Sequence, residues 1–464
     1  MLSRRLIEDC KEAHCIPVRS AILTGSKALG VAASEMMMST HEIVSSARAS
    51  QKFIRFLVTA DSFLPHSGGS RVYYANLYRT LLEQYPDTIT LLTKKVPGWQ
   101  AFDEHEMGER FRIFRRFNPL PNWKYSQLPK ALLQLMHASA TITISNYDCL
   151  HCCDLFPQAL SGVFLSRIFN LPLIIFCHGD EISQTDRRRF QPRVRDFIYR
   201  QADAIIAANQ YALESLIRIG LPNNRIHKLT PGVDLQIFQP RPRNKTLVER
   251  FGLAGKKVIL TVARLVPRKG HAIVLRALPA VLQRIPNLKY LIVGEGPEKQ
   301  RLEQTVQDLR LGDVVTFVGD ISHAEISEFY NVCDVFIMVN RLEESGDIES
   351  FGMVFTEANA MGKPVIGGKS GGTSEAILDG ETGFLVDPQS AEDVGERLIL
   401  LLSNRTLSDS IGSAGLRRVI QEFNWKTRSD ALREISADLI KKRRGAGLLW
   451  RSRSLQHGRS KASH

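Results

Sequence analysis

Short runs of β-branched and other apolar residues alternate with amphipathic segments from about residue 53 to residue 386 of this chain. This alternation is typical of βαβ units, in which helices join parallel strands and cover the sheet. The strand-like runs are Phe53–Thr59, Thr88–Thr93, Asp148–Cys152, Leu173–Cys177, Ala204–Ala208, Lys257–Ala263, Leu288–Val293, Val314–Val318, Val335–Val339, Pro364–Gly367 and Gly383–Val386. The pattern predicts an α/β protein built on doubly wound parallel sheets.

A polar stretch with two prolines, at residues 232–245, separates the first five runs from the last six. A chain of 464 residues is also too long for one ordinary core. We therefore predict two Rossmann-like domains, at residues 51–235 and 236–424. Sheets of this kind bind ligands beyond the carboxyl ends of their strands. We expect the two domains to face each other across a cleft that holds the ligand.

The two ends of the chain differ from this pattern. Residues 1–50 contain Ser, Met and Ala runs that Lys27 and Glu35 interrupt, and we predict a poorly ordered extension there. Residues 425–440 have a helical pattern, and we predict a helix that packs back toward the amino-terminal domain. Residues 441–464 carry eight basic residues and no acidic residue, without periodicity, and are predicted to be a disordered basic tail.

The formal net charge of +13 could reflect nucleic acid, an anionic membrane or an anionic ligand. Much of the excess lies in the tail, which has no interleaved aromatic residue beyond Trp450, and no recognition module is apparent, so we expect no nucleic acid. A second basic cluster at residues 187–200 includes Phe190 and Phe197. It is either a solvated helix face or a surface that docks to anionic lipid or an anionic acceptor. The stretch with Arg112, Arg115, Arg116 and Trp123 favours the second interpretation.

Seven cysteines are scattered without disulfide or metal spacing. The chain also has no run of 18 apolar residues that could span a membrane. These features favour a cytoplasmic protein, with peripheral attachment to the cytoplasmic face of a membrane left open.

Three segments carry candidate ligand-binding residues. The first is Phe63-Leu-Pro-His-Ser-Gly-Gly-Ser70, after the opening strand, where Gly68 and Gly69 let a ligand approach the backbone at a helix start. A tight turn between strand and helix would use the same residues. The second is the strand end that carries Arg264 and Lys269, two cations suited to a diphosphate. Solvated surface side chains are the alternative.

The third segment runs from Asp347 to Glu357. We predict a helix from Ser350, so that Phe351, Gly352 and Met353 would present unpaired N–H groups beside phosphate or sugar oxygens. The Glu357 carboxylate is suited to accept hydrogen bonds from ribose hydroxyls. Glu349 precedes the turn, where an acidic residue that only stabilises the helix dipole is the alternative.

Several motifs together resemble the donor-binding domain of family 4 glycosyltransferases, in the order and at the spacings found there. Pro231-Gly-Val-Asp234 and His178-Gly-Asp-Glu181 resemble further landmarks of this family, so the resemblance extends over roughly residues 53 to 440. The donor-domain motifs are Arg264-Leu-Val-Pro-Arg-Lys-Gly270, Val293-Gly-Glu-Gly-Pro297, Phe317-Val-Gly319, Glu349 to Glu357, Gly371-Gly372 and Asp379-Gly-Glu-Thr-Gly383. Among members, the resemblance is to bacterial mannosyltransferases that build phosphatidylinositol mannosides. One departure is Thr373-Ser374-Glu375, where the family usually has a proline before the glutamate.

The resemblance implies the two-domain GT-B fold and a role for each matching residue. Arg264 and Lys269 would bind the donor diphosphate, which Gly68 and Gly69 approach from the amino-terminal domain. Val318 would contact the base and Glu357 the ribose. Glu349 would lie against the sugar, and His178 would reach the sugar across the cleft. Further donor-binding residues would be Ser350, Phe351, Gly352 and Met353. His178 and Glu349 are thus the candidate catalytic residues.

The resemblance also implies a retaining hexosyltransferase that needs no metal or other cofactor. The expected donor is GDP-mannose or a UDP-hexose, and the expected acceptor is a glycan or a lipid at an anionic membrane surface. A non-catalytic nucleotide-sugar-binding protein and a nucleotide-sugar epimerase are the alternatives.

Overall fold

A computed structural model describes residues 53–65, 68–116, 127–186 and 191–460. The first domain contains a seven-stranded parallel sheet with the strand order β3-β2-β1-β4-β5-β6-β7. Its elements are β1 (Arg55–Thr59), α1 (Gly69–Gln84), β2 (Thr88–Lys94), α2 (Trp99–Glu106), β3 (Phe111–Arg116), α3 (Gln127–Ile144), β4 (Cys149–Cys152), α4 (Leu160–Ile168), β5 (Leu173–Cys177), α5 (Asp180–Asp186), α6 (Gln191–Gln201), β6 (Ala204–Ala207), α7 (Gln210–Arg218) and β7 (Ile226–Lys228).

Helices cover both faces of this sheet. Every residue of β4, β5 and β6 is buried, which explains why these strands are continuous apolar runs. Residues of α1 pack with one face of the sheet, and residues of α3, α4, α6 and α7 pack with the other. The segments 117–126 and 187–190, which include Trp123, Phe190 and the arginines between residues 187 and 189, lie outside the described residues.

The second domain contains a six-stranded parallel sheet with the order β10-β9-β8-β11-β12-β13. Its elements are α8 (Lys245–Arg250), β8 (Lys257–Val262), α9 (His271–Arg284), β9 (Leu288–Val293), α10 (Lys299–Asp308), β10 (Val315–Gly319), α11 (His323–Val332), β11 (Val335–Met338), α12 (Met353–Ala360), β12 (Val365–Gly368), α13 (Thr373–Ala376), β13 (Gly383–Val386), α14 (Ala391–Ser403) and α15 (Arg405–Glu422). The doubly wound α/β prediction is confirmed for both sheets.

Each sheet reverses its strand order at one point, between β1 and β4 in the first domain and between β8 and β11 in the second. The connections on either side of such a reversal leave in opposite directions, so a crevice opens at the carboxyl ends of the strands. The loops after β1, β5, β8 and β11 therefore carry the candidate site residues.

The chain returns to the first domain at its end, in helix α16 (Trp425–Ser460). Trp425 and Leu432 are buried in the first-domain core, beside residues of α1. At the crossing point Gly232 is required, because a Cβ there would lie 2.7 Å from the backbone nitrogen of Trp425. The Val233 N–H donates to the Phe423 carbonyl, which fixes the two crossing segments side by side.

The predicted disordered tail is wrong in its first part, because α16 continues past residue 440 to Ser460. No proline interrupts this stretch. Arg443 donates to the Asp203 carboxylate and to the Leu171 carbonyl, and Arg444 donates to Asp148. These contacts hold the start of the basic segment against the first domain.

Direct contacts join the two domains across the cleft. The Glu375 carboxylate accepts from the Gln210 N–H at 2.6 Å and from Lys228 Nζ at 2.9 Å. Ser183 Oγ donates to the Gly346 carbonyl at 2.9 Å. The carboxyl ends of the two sheets therefore face each other. Within the described part of the chain, no helix is long and apolar enough to cross a membrane.

Candidate functional site

The loop between β8 and α9 positions the two predicted cations. Pro267–Lys269 forms one 3₁₀ turn, and Gly270 follows in the left-handed conformation with φ of 71°. A Cβ on Gly270 would lie 1.7 Å from the Val339 carbonyl oxygen, so only glycine fits between this loop and the end of β11. The turn places Lys269 just before α9. Arg264, at the start of the same loop, is exposed.

Lys269 and Glu349 form an ion pair, although 80 residues separate them. Lys269 Nζ lies 2.5 Å from Glu349 Oε2, and Arg268 Nη1 lies 2.8 Å from the same oxygen. The Lys269 and Glu349 side chains are only 12% and 13% exposed. The structure thus pairs Lys269, the residue predicted to bind the diphosphate, with Glu349, the residue predicted to bind the sugar. It also adds Arg268 to this cluster. Arg268 could have been proposed from the sequence, because it precedes Lys269 directly in the motif that runs from Arg264 to Gly270.

The pKa values reflect this cluster. Burial lowers the pKa of Lys269 below its ordinary value, Glu349 opposes that change, and the charges of Arg268 and Arg264 add to it. Burial alone would raise the pKa of Glu349, but the attraction of Lys269 and Arg268 outweighs burial and the pKa is lowered. Glu349 is therefore an anion held between cations.

The loop from Glu349 to Gly352 is fixed by the glycine pair that follows β12. The Gly372 N–H donates to the Glu349 carbonyl at 3.0 Å, and a Cβ on Gly372 would lie 1.8 Å from the Ser350 carbonyl oxygen. Helix α12 begins at Met353, so our predicted start at Ser350 is wrong by three residues. The reason is Gly352, whose left-handed φ of 84° precedes the first helical turn. The Phe351 ring is buried and packs edge-on against Phe423.

Glu357 and Val318 have surroundings of their own. Glu357 is buried on α12 and accepts a hydrogen bond from the Tyr330 hydroxyl at 2.9 Å, a partner that we did not predict. Val318 is partly buried on the edge strand β10. It lines a cavity of about 370 Å³ with residues of α8 and α11, and this cavity has neither Lys269 nor Glu349 in its wall.

The first domain forms the opposite wall of the cleft. Gly68 and Gly69 begin α1 after β1, while His66 and Ser67 lie outside the described residues. Arg71, on the first turn of α1, donates through Nε to Ser62 Oγ at 2.6 Å. Burial lowers the pKa of Arg71, the nearby Asp154 and Asp61 oppose that change, and the charge of Arg264 from the second domain lowers the pKa further. Arg71 is thus a further cation at the cleft that the sequence analysis missed.

His178 follows β5 on the same wall and is held by three hydrogen-bond contacts and two ring contacts. Its Nε2 lies 2.5 Å from the Tyr74 hydroxyl oxygen. Its backbone N–H donates to Glu181 Oε1 and its carbonyl accepts from Asn209 Nδ2, and the Tyr73 and Tyr74 rings pack edge-on against the imidazole. Burial lowers the pKa of His178 below its ordinary value. The imidazole is therefore neutral at neutral pH.

The described residues contain no group of three His, Cys, Asp or Glu side chains arranged to hold a metal ion. Four cationic side chains lie in this region, namely Lys269, Arg268, Arg264 and Arg71.

Two family models match this chain, one in each domain. Residues 67–237 match the model for Glycosyltransferase Family 4, and residues 245–418 match the model for Glycosyl transferases group 1. One relative is a mannosyltransferase of Corynebacterium glutamicum, which is described as acting on monoacylated α-(1-6)-phosphatidylinositol monomannoside. It is 30% identical to this chain over 283 residues, which span 60% of this chain and 73% of the relative. The protein belongs to the family 4 glycosyltransferases.

Other comparisons extend over more of this glycosyltransferase. The GDP-mannose-dependent α-(1-6)-phosphatidylinositol monomannoside mannosyltransferase of Mycolicibacterium smegmatis is 29% identical over 386 residues, which span 82% of this chain and 97% of the relative. The crystal structure of Anabaena HepE with UDP and glucose covers 83% of this chain and all of HepE, with a TM-score of 0.69 and 22% identity. The predicted GT-B fold is confirmed, and the transferase is a hexosyltransferase.

Proposed function

We propose that this transferase moves a hexose from a nucleoside diphosphate sugar, with GDP-mannose as the first candidate and a UDP-hexose as the second, onto a lipid or lipid-linked glycan. The observation that carries the proposal is the Lys269–Glu349 ion pair, flanked by Arg268 and Arg264, with Arg71 of the other domain close enough to Arg264 for their charges to interact. The GDP-mannose-dependent relatives support the choice of donor, and their phosphatidylinositol-based acceptors support the choice of acceptor.

The chemistry of this cluster suits a departing diphosphate. Negative charge develops on the diphosphate as the bond to the sugar breaks, and fixed cations in a site of low exposure stabilise that charge. Lys269 would exchange its contact with Glu349 for a phosphate oxygen. Glu349 would then accept hydrogen bonds from sugar hydroxyls, beside the N–H groups that precede α12. In this proposal the anomeric configuration is retained and no metal ion takes part.

The decisive experiment is calorimetric binding of GDP, GDP-mannose, UDP and UDP-glucose in the presence of EDTA, followed by donor hydrolysis. We expect one nucleotide series to bind, and Glu357→Gln to weaken binding of the nucleoside diphosphate about tenfold, since a ribose hydroxyl would lose a charged acceptor. Glu396→Gln, at an exposed position of α14, is the matched control and should leave binding unchanged. Absence of binding in every series would refute the proposal, and binding without hydrolysis or transfer to any acceptor would favour a non-catalytic protein.

We also propose that one face of the first domain docks to an anionic membrane. Apolar side chains of α3, α4 and α6 are exposed on the face opposite α16, among them Met136 at 69%, Ile168 at 63% and Phe197 at 46%. Lys130 and Arg193 lie on the same helices. Exposed apolar residues flanked by basic residues are typical of surfaces that bind anionic lipid.

Two arginines that we had counted toward this surface do not belong to it. Arg195 is buried and donates to the Ile182 carbonyl and to Thr185 Oγ1. The Arg115 side chain is also buried and pairs with Asp103 at 2.8 Å. Both arginines hold the first domain together.

The double variant Met136→Ser/Ile168→Ser tests the membrane proposal. We expect the native protein to float with vesicles containing phosphatidylglycerol and not with phosphatidylcholine vesicles, and the double variant to bind the anionic vesicles at least fivefold more weakly. Burial of two apolar side chains contributes about 1.5 to 3 kcal/mol each, so the expected loss is measurable. Ile420→Ser, at an exposed position of the second domain, is the control. Equal binding to both kinds of vesicle would contradict the proposal.

A further inference from the structure

The Tyr74 hydroxyl, on α1, contacts two groups at once. It donates to the Cys153 carbonyl oxygen in a short hydrogen bond. Its oxygen also lies 2.5 Å from Nε2 of His178. Tyr74 is buried, with only 2% of its surface exposed.

Both contacts can be hydrogen bonds in only one arrangement of protons. A carbonyl oxygen has no proton to donate, and a phenol has one. The Tyr74 proton must therefore lie toward Cys153, and burial raises the pKa of Tyr74 well above its ordinary value, so the phenol keeps that proton. The hydroxyl oxygen then presents a lone pair to Nε2. Two lone pairs at this distance would repel each other, so Nε2 carries a proton.

A neutral imidazole has one N–H and one lone pair. With the proton on Nε2, the lone pair lies on Nδ1. Among the described residues Nδ1 has no hydrogen-bond partner, whereas the backbone N–H and carbonyl of His178 are both engaged, by Glu181 and Asn209. The ring orientation is fixed, and its available nitrogen is an acceptor.

We propose that Tyr74 is a positioning residue that holds His178 as the Nε2–H tautomer, so that Nδ1 accepts a hydrogen bond from a hydroxyl group of the hexose. This inference rests on the proposed function, in which His178 faces the donor sugar. The proposal also predicts which hexoses the site accepts. The site takes a hexose with a free hydroxyl at the position that meets His178, and it disfavours an analogue with fluorine there, because fluorine cannot donate a hydrogen bond.

The tautomer is measured without any substrate, by NMR of the protein labelled with ¹⁵N-histidine, with the His178 signals assigned by their loss in His178→Gln. We expect Nε2 of His178 to carry the proton in the native protein and in Tyr73→Phe. Tyr73 is the matched control, since its ring also packs against His178 but its hydroxyl donates to the Leu229 carbonyl. In Tyr74→Phe we expect a mixture of both tautomers. A proton on Nδ1 in the native protein, or an unchanged tautomer in Tyr74→Phe, overturns the proposal.

The second measurement is turnover of a series of monofluorinated donor sugars. For the native transferase and Tyr73→Phe we expect one fluorinated position to lower kcat/KM at least tenfold, and for Tyr74→Phe we expect that discrimination to shrink to less than threefold. Equal discrimination in Tyr74→Phe and the native protein contradicts the proposal. If no nucleotide sugar is turned over, the proposed function fails, and the NMR result still decides the tautomer.

Discussion

Replacing Lys269 by alanine is expected to lower kcat/KM for the sugar donor by about 100- to 1000-fold, which is the usual effect of removing one group that stabilises developing negative charge. Lys269 is nearly buried, so little water replaces the lost ammonium group. The change also leaves Arg268 as the cation that pairs with Glu349. Steady-state kinetics with the donor identified by calorimetry provides the measurement.

Two further variants separate function from folding. Lys299→Ala removes an exposed lysine that pairs with Glu295 on the surface, and kcat/KM should stay within twofold of the native value. Lys269→Ala/Glu349→Gln removes both charges of the buried pair. We expect this double variant to unfold at a higher urea concentration than Lys269→Ala, while its activity stays low. A Lys269→Ala enzyme with more than a third of native kcat/KM would show that the lysine does not contact the leaving group.

Replacing Arg433 by methionine is expected to lower the free energy of unfolding of the first domain by about 3 to 5 kcal/mol, the range found when one partner of a buried ion pair is removed. Arg433 lies on α16 and donates through Nε to Asp87 Oδ2 at 2.7 Å and through a second nitrogen to Oδ1 at 3.2 Å. The Asp87 side chain is fully buried, so its charge would lose its cationic partner away from water. Methionine keeps most of the side-chain volume, which isolates the electrostatic effect.

Urea unfolding followed by intrinsic fluorescence measures this loss, because Trp425 lies in the same core. Arg405→Met is the matched control. It also removes an arginine from an aspartate pair, but that arginine is 89% exposed and the expected change is below 0.5 kcal/mol. A decrease of less than 1 kcal/mol for Arg433→Met would mean that α16 is held mainly by its apolar contacts.

The sequence predicted strands that are buried and apolar and missed those that are not. All eleven predicted strands exist within one or two residues at either end. Strand β3 was missed because Arg112, Arg115 and Arg116 interrupt its apolar residues, and β7 was missed because it has only three residues. The helix over residues 441–460 was not predicted, because the carboxylates that pair with its arginines lie far away in the sequence. Arg443 pairs with Asp203 and Arg444 pairs with Asp148.

The candidate site shows the same limit. Lys269 and Glu349 were each found from a local pattern, at a strand end and before a helix. Their ion pair was not found, because nothing local links positions 80 residues apart. Tyr74 was missed for a different reason. On α1 it is spaced like a core residue, and only the fold brings its hydroxyl to His178.

The return of α16 to the first domain affects the order in which the two halves of the protein are completed during synthesis. The first domain leaves the ribosome first, yet Trp425, Leu432 and Arg433 reach it only after the second domain has been made. The Asp87 carboxylate is without its partner Arg433 until that part of α16 has been made. The second domain is contiguous, because its strands and helices lie between residues 245 and 422 and Phe423, which joins its core, follows directly. The amino-terminal half therefore stays incomplete, with part of its core exposed, for longer during synthesis than the half that follows it.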